Sequence, residues 1–284
     1  MPNSTVPRTV ILTTLAMVAF AGNSLLCRLA LKQTAIDAAS FTSIRMVAAT
    51  LVLWLIVLSR NRNVAPEDNW FSAWALFAYA ALFSFAYIDL PAAAGALILF
   101  GSVQTTMIGY GFLSGERLRG KQVVGLMMAL GGLGGLMLPG LSAPPLFSSV
   151  LMLGAGVAWG IYSLRGRGAG DPTEVTARNF LRTVPMTAAL SLVMSRGTML
   201  DSPGVVYAIL SGGFTSGIGY AIWYAALPNL RASQAATVQL SVPVIAALGG
   251  VLLIGELLTL RLVLASATIL FGIALVVLEK AKRS

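Results

Sequence analysis

Long apolar segments of this chain contain amide and aromatic side chains whose polar atoms suit the recognition of a small organic molecule. Tyr and Trp combine a large apolar ring with one polar atom, and inside an apolar segment that atom needs a hydrogen-bonding partner. A few such groups in a mostly apolar lining are typical of a small-molecule pocket. We predict that a substrate-binding cavity is formed by Asn23, Tyr79, Phe83, Gln104, Trp159, Tyr162, Tyr220, Trp223 and Gln239. Ser24, Thr105, Tyr224 and Ser241 lie near them in the sequence, and helix packing is the alternative role for each.

Two arginines, Arg45 and Arg182, also fall inside apolar segments, roughly two turns from a segment end. A charged side chain at the centre of a bilayer costs about 3 kcal/mol on insertion scales, so each arginine must face protein or a wet cavity. One interpretation is that they bind a substrate carboxylate. The other is structural, with bonds to backbone carbonyls or to an acid in a loop.

Proline and glycine indicate the shape of the helices. Pro243 falls in the middle of an apolar segment and removes one backbone hydrogen bond, which predicts a kink beside Gln239 that is either a hinge or a fixed bend. Glycines spaced four apart favour close approach of two helices. Such pairs are Gly131 with Gly135, Gly156 with Gly160, and Gly213 with Gly217.

The titratable residues exclude several kinds of chemistry. The chain has no histidine and one cysteine, Cys27, which excludes histidine-based metal sites, histidine-activated nucleophiles and an intrachain disulfide. All ten acidic residues fall in predicted loops or near helix ends, so no general base is evident. We therefore predict a protein that is not an enzyme and uses no cofactor or metal. Glu116 and Glu256 each follow a glycine and are expected to cap the helix that follows.

The composition places these residues in a membrane. Hydrophobic residues make up 57% of the 284 and charged residues 10%, and the mean hydropathy is +0.84. A membrane-spanning helix needs about 20 mostly apolar residues, and the loops left between such segments are too short for a soluble domain. Ten helices are predicted near residues 9–31, 39–59, 70–88, 91–113, 120–138, 146–164, 173–195, 204–226, 231–254 and 257–278.

The positive charges predict an orientation. The net charge of +9 is spread between the apolar segments and forms no basic face, which argues against nucleic acid as a partner. With ten spans, thirteen Lys and Arg residues fall on the side of the two termini and four on the other side. Because positive charges collect in the cytoplasm, both termini are expected there, in a bacterial inner membrane.

A short motif occurs twice, 140 residues apart: L-S-G-E-R-L at 113–118 and L-I-G-E-L-L at 253–258. Leu90 and Ala92 match Leu230 and Ala232 at the same spacing, which indicates a duplicated five-helix unit, residues 1–140 and 141–284. Since five is odd, the second copy enters the membrane from the opposite side. The predicted fold is therefore an all-α membrane protein of ten transmembrane helices in two inverted five-helix repeats, an architecture of secondary transporters.

Residues 223–259, W-Y-A-A-L-P-N-L-R-A-S-Q-A-A-T-V-Q-L-S-V-P-V-I-A-A-L-G-G-V-L-L-I-G-E-L-L-T, resemble the EamA branch of the drug/metabolite transporter superfamily. Within it the chain is similar to YddG-like amino-acid exporters. The resemblance implies a transporter that exports small organic metabolites, amino acids including aromatic ones, by alternating access. It implies a small-molecule substrate and the lipid bilayer as partners. The sequence leaves the oligomeric state open, with a monomer as one option. The alternatives are a carrier for other metabolites or drugs, an intramembrane enzyme, and a membrane scaffold.

Overall fold

The chain folds into a bundle of helices. The computed structural model describes residues 5–59, 70–113, 120–138, 140, 143–165, 171–230 and 238–281. Within this part of the chain there are ten long helices and no strand, which confirms the predicted all-α class. Glu116, with its predicted cap, lies outside the described residues. The helices are α1 Thr5–Gln33, α2 Ala38–Ser59, α3 Trp70–Ala86, α4 Ala92–Leu113, α5 Gly120–Met137, α6 Leu146–Arg165, α7 Pro172–Val193, α8 Ser202–Asn229, α9 Ser241–Ile254 and α10 Leu260–Ala281.

Helix α8 is continuous but changes its winding. Its α-helical parts, Ser202–Leu210 and Gly219–Ala226, enclose a π-helical segment, Ser211–Ile218, and its last turn, Leu227–Asn229, is a 3₁₀ turn. π-helical turns are often found at functional sites. In this segment the side chains of Ser211 and Thr215 bond to α1, as described below.

Helix α9 begins at Ser241, and its last turn, Gly250–Ile254, is also π-helical. Leu240, a turn residue beside Gln239, separates helical Val238 and Gln239 from α9. Pro243 itself lies in the first turn of α9, where its missing N–H removes no helical hydrogen bond. The α-helix is thus interrupted before the proline, and the kink and its role as a hinge stay predictions.

Five of the described helices are long and apolar enough to cross a membrane on their own: α1, α2, α4, α6 and α8. Three others, α3, α9 and the part of α10 up to Leu275, are apolar but shorter. Helix α7 has a low mean hydropathy because it turns a polar side inward, where Glu174, Asn179 and Thr183 are buried. Such a helix is stable in a bilayer only when neighbouring helices cover its polar side.

The outside of the bundle is apolar. On α2 the exposed leucines are spaced along one face, with Leu51 60%, Leu55 66% and Leu58 61% exposed, while Arg45 on the opposite side is 1% exposed. A continuous apolar surface of this kind is unusual for a soluble protein and suits contact with lipid. The polar side chains are thus turned to the interior of the bundle.

The helix contacts follow one scheme in both halves. Helix α6 packs against α3 and α4, and α1 packs against α8 and α9. Helix α2 packs against α7, and α5 packs against α10. If each helix is exchanged for the one five positions away, the contacts of α6 with α3 and α4 become those of α1 with α8 and α9. The contacts α2–α7 and α5–α10 are unchanged by the exchange.

Loop contacts fix how the helices alternate. We call the end of the bundle with the loops after α1, α3, α5, α7 and α9 the odd end, and the opposite end the even end. Among the described residues, hydrogen bonds join these odd-end loops to one another, so the loops lie at the same end of the bundle. Successive helices must therefore run in opposite directions. These bonds are Met199 N to Asp37 Oδ2, Ala92 N to Glu256 Oε2, Ser148 Oγ to Asp89 Oδ2 and Arg261 Nη1 to Leu138 O.

The glycines confirm two of the three predicted packing pairs. A Cβ on Gly160 would lie 2.9 Å from Thr106 of α4, and one on Gly217 would lie 2.9 Å from Val52 of α2. The prediction for Gly131 and Gly135 is wrong, since nothing lies within 4 Å of a Cβ at either position. Their neighbour Gly132 makes the contact instead, at 2.7 Å from Ile269 of α10. One residue along a helix turns the side chain by about 100°, so the packing face lies beside the predicted one.

Candidate substrate cavity

A cavity of about 550 Å³ lies inside the bundle, between α1, α3, α4, α6, α7 and α8, with Gln239 at its border. Its size is within the range of small-molecule sites. All nine residues predicted to bind a substrate line it, as do Ser24 and Tyr224, whereas Thr105 and Ser241 do not. Whether the lining residues bind a substrate stays a prediction.

Aromatic rings form one wall of the cavity around Trp159 of α6. The Trp159 ring stacks on Tyr220 with centroids 5.2 Å apart and an interplanar angle of 30°. It also lies 4.8 Å from the ring of Tyr79 and 5.3 Å from that of Tyr162. Phe20 of α1 packs against Tyr220 at 5.6 Å. This wall can accept a planar or apolar group by stacking.

Asn23 of α1 is the centre of a buried polar cluster at one end of the cavity. Its Oδ1 accepts hydrogen bonds from Ser211 Oγ at 2.7 Å and Thr215 Oγ1 at 3.3 Å, both in the π-helical segment of α8. It also accepts from Arg45 Nη1 at 3.5 Å. The amide nitrogen of Asn23 donates to the Tyr79 hydroxyl at 3.3 Å. The cluster joins helices α1, α2, α3 and α8.

The two predicted intramembrane arginines have different surroundings. Arg45 does not line the cavity but lies behind two residues that do, with its guanidinium 5.0 Å from the ring centroid of Phe83 and 5.8 Å from that of Tyr79. Its Nη2 donates to Ala80 O at 3.3 Å. Arg182 also lies outside the lining, with its guanidinium 5.8 Å from the ring of Trp70. Arg45 is connected to the cavity through Asn23.

A second polar group lies toward the even end of the cavity. Tyr162 Oη donates to Thr176 Oγ1 at 3.4 Å, and Thr176 Oγ1 donates to Tyr224 Oη at 3.2 Å. Thr176 is in the first turns of α7, which begin at the even end, and Leu227 and Leu230 line the cavity where α8 ends. The cavity therefore extends from the middle of the bundle toward its even end.

An ion pair lies at the odd end, on the far side of the cavity. Arg28 Nε donates to Glu256 Oε1 at 3.1 Å, and the two side chains are only 8% and 7% exposed. Arg28 Nη1 also donates to the carbonyls of Tyr87 at 3.0 Å and Ile88 at 2.7 Å. We call Arg28, Glu256 and these carbonyls the odd-end seal.

The role expected for Glu256 is corrected by its contacts. Glu256 Oε2 accepts from Ala92 N at 2.7 Å, so it caps α4 and not the helix that follows it. The first turn of α10 is capped by Thr259, whose hydroxyl accepts from Leu262 N at 3.2 Å. A carboxylate at the N-terminus of α4 is favoured by the free N–H groups there.

Sequence reasoning missed part of the lining. The residues not predicted are Phe20, Leu99, Phe100, Val103, Met107, Ser163, Pro172, Val175, Thr176, Thr215, Ser216, Leu227 and Leu230. A signal for the residues on α8 exists, because Ser216, Tyr220, Trp223, Leu227 and Leu230 are spaced alternately four and three apart, as on one helix face. The apolar residues of α4 carry no such signal, since nearly all of the first half of that helix is buried.

The apolar outer surface and the bundle of long apolar helices are those of a multi-pass membrane protein with an internal cavity. Residues 146–278 match the EamA-like transporter family, in agreement with the resemblance of residues 223–259, and this match indicates a membrane transporter of small molecules.

Among the proteins similar to the chain are two relatives and a solved structure. An uncharacterized protein of Pseudomonas aeruginosa, PA1977, is 54% identical over 278 residues, which cover 98% of this chain and 97% of the relative. An uncharacterized transporter of Archaeoglobus fulgidus is 31% identical over 170 residues, covering 58% of this chain and 60% of the relative. A crystal structure described only as that of a protein covers 97% of this chain and 99% of its own, with a TM-score of 0.69 and 21% identity, and thus shares the fold.

Proposed function

We propose that this protein is a secondary transporter that exports small organic metabolites, above all amino acids with aromatic side chains, by alternating access. The observation that carries the proposal is the aromatic cavity inside the bundle, which extends toward one end and is separated from the other by the odd-end seal. A cavity with access to one end at a time is what alternating access requires.

The proposed orientation follows from the positive charges. With both termini in the cytoplasm of a bacterial cell, the even end faces the cytoplasm and the odd end faces outward. The cavity then extends toward the cytoplasmic side, from which an exporter collects its substrate. The Arg28–Glu256 pair closes the outer side.

The proposed motion uses the two halves as units. We take residues 1–140 and 141–284 as inverted repeats, and the exchange of helix contacts between α1–α5 and α6–α10 supports this division. Rocking of one half against the other would open the odd end and close the even end around the same cavity. Since one chain provides the whole lining, we propose that a monomer is sufficient.

The cavity lining favours transport without proton coupling. Among the described residues that line it, tyrosines are the only titratable ones. A proton-driven carrier usually places a titratable group at the substrate site. The same feature argues against an intramembrane enzyme, which would need a general base near its substrate.

A flux assay tests the proposed function. Purified protein in vesicles without ion or pH gradients is given each of a panel of labelled amino acids, with equal unlabelled substrate inside. We expect exchange of phenylalanine and tryptophan above the rate of protein-free vesicles, independent of added protonophore. Movement of another metabolite or a drug, with no amino acid moving, would contradict the proposal and favour the alternative carrier.

A further inference from the structure

The polar cluster at the Asn23 end of the cavity is arranged to donate hydrogen bonds. Arg45 can only donate, so the atom it meets at 3.5 Å must be the carbonyl oxygen of Asn23, and Ser211 and Thr215 donate to that same oxygen. The Asn23 amide group therefore faces Tyr79 and the cavity. One of its hydrogens is donated to Tyr79 Oη, and the second is left to donate. The Tyr79 hydroxyl also lies beside Tyr220, another lining residue.

Ser24 adds a hydroxyl that is weakly paired. Its side chain lines the cavity and the residue is 1% exposed; among the described residues its Oγ interacts with the Tyr87 hydroxyl but meets no partner with full hydrogen-bond geometry. A buried hydroxyl without a partner is costly, and native proteins rarely leave one unless something else completes it. Ser24 lies next to Asn23 on α1, at the same end of the cavity.

Arg45 brings a positive charge to this end without a counter-charge. Among the described residues, the contacts of Arg45 are with the neutral groups of Asn23 and Ala80 and with two aromatic rings. Its Nε has no hydrogen-bond partner. A buried charge is strongly unfavourable unless it is compensated. An anion in the cavity would supply the missing negative charge.

We propose that Asn23, Ser24 and Tyr79 form a subsite for the carboxylate of the substrate, supported from behind by the charge of Arg45. The aromatic wall around Trp159 receives the rest of the molecule. Since the described lining residues include no carboxylate to meet an ammonium group, the substrate carboxylate is the required feature and the amino group is dispensable. The inference rests on the proposed function and names its substrate class: small aromatic or apolar monocarboxylates, with or without an α-amino group.

A ligand series on the unaltered protein tests the subsite. Binding to the purified protein is measured by isothermal titration for phenylalanine, 3-phenylpropionate, phenylalaninamide and 3-phenylpropanamide. We expect 3-phenylpropionate to bind within about threefold of phenylalanine, and both amides to bind about 10- to 100-fold more weakly, because a hydrogen-bonded charge is lost. Equal binding of acids and amides, or no binding of 3-phenylpropionate beside binding of phenylalanine, would overturn the inference.

The two failures are distinguishable. If the acids bind better than the amides but no amino acid is exchanged across vesicles, the subsite stands and the proposed transport of amino acids fails. If phenylalanine is exchanged but its amide competes equally well, transport stands and the subsite fails.

Variants locate the subsite. Ser24→Ala should weaken the binding of 3-phenylpropionate by about three- to tenfold and leave the binding of 3-phenylpropanamide unchanged. Arg45→Gln should weaken the binding of 3-phenylpropionate by about 10- to 100-fold. Arg182→Gln is the matched control, since Arg182 lies outside the lining, and should leave both ligands unchanged. Ser24→Ala keeps the test valid even where Arg45→Gln does not fold. Equal weakening of acid and amide in Ser24→Ala would contradict the subsite.

Discussion

Arg28 and Glu256 are 228 residues apart in the chain, yet their side chains meet at 3.1 Å in a buried ion pair at the odd end of the bundle. Arg28 belongs to the first half and Glu256 to the second. The same Glu256 carboxylate caps α4 through Ala92 N at 2.7 Å. Any motion that opens this end by separating α1 from the α9–α10 loop must break these bonds.

The first prediction concerns this seal. Glu256→Gln removes the negative charge and leaves Arg28 buried without its partner, a change that costs about 3–5 kcal/mol for buried pairs. Cys27, next to Arg28, is the single cysteine of the chain and is 0% exposed, so it reports on opening. We expect its labelling by a maleimide to be more than about tenfold faster in Glu256→Gln than in the unaltered protein.

The control for the seal is Glu174→Gln, which breaks the Arg178–Glu174 pair at the start of α7, at the even end. It should leave the labelling rate of Cys27 unchanged. Equal labelling rates in Glu256→Gln and the unaltered protein would show that the ion pair does not hold the odd end closed.

The second prediction concerns Asp37, which lies before α2 and outside the membrane-spanning segments. Burial raises the pKa of its carboxyl, but hydrogen bonds from Ser40, Met199 and Ala39 outweigh that effect, so the pKa is lowered from its ordinary value of 3.8. A carboxyl with a lowered pKa in the folded state stabilises the fold above its ordinary pKa. That contribution is lost as the pH falls through the lowered value.

We therefore expect Asp37→Ala to reduce the free energy of unfolding by about 1–2 kcal/mol at pH 7, the usual cost of losing a helix cap. The difference from the unaltered protein should shrink as the pH falls below about 3.8. Thermal unfolding in detergent between pH 2.5 and 7 measures both. Stability curves that stay parallel over that range would contradict the role assigned to Asp37.

The third prediction concerns the aromatic wall. Trp159 packs against Tyr79, Tyr162 and Tyr220, and its removal deletes the stacking surface for an aromatic substrate. Trp159→Ala should weaken the binding of phenylalanine by at least about tenfold. Trp54→Ala is the matched control, because Trp54 is 37% exposed on the outside of α2 and lines no part of the cavity. Unchanged affinity in a folded Trp159→Ala protein would exclude the wall from substrate binding.

The fourth prediction concerns the contact between α5 and α10. A Cβ on Gly272 would lie 2.5 Å from the carbonyl oxygen of Gly125 and 2.9 Å from Ala129 N. Gly272→Ala must therefore push the two helices apart, at a cost of about 1–3 kcal/mol. Gly135→Ala on α5, where nothing lies within 4 Å, should not lower the thermal midpoint in detergent. A lower midpoint for Gly135→Ala than for Gly272→Ala would contradict the packing described here.

The sequence predicted the elements and the cavity well for one physical reason. In a membrane, polar atoms on a helix must face protein, so Tyr79 and Trp159 were expected in the interior of the bundle. Both lie there, with their ring centroids 4.8 Å apart. The sequence did not show in the same way which side of each helix faces the cavity. Arg45 and Arg182 are similarly placed in the two halves, yet Arg45 bonds to Asn23 of the cavity cluster while the guanidinium of Arg182 lies over the ring of Trp70.

Long-range partners were also beyond the sequence. Glu256 was expected to cap the helix after it, as a residue behind a glycine and before an apolar segment usually does. Its carboxylate oxygens instead accept hydrogen bonds from Ala92 N and Arg28 Nε, and only the packing of the two halves brings these donors near. For Gly131 and Gly132, a difference of one residue decided which face meets α10.

The central claim is that an aromatic amino acid crosses the membrane through the cavity lined by Trp159. Exchange of labelled phenylalanine into vesicles loaded with unlabelled phenylalanine, with no gradient of protons or other ions, tests it most directly. The account predicts rapid exchange by the unaltered protein and by Trp54→Ala, and a loss of exchange in Trp159→Ala. Exchange at the rate of protein-free vesicles in the unaltered protein, or unchanged exchange in Trp159→Ala, would contradict it.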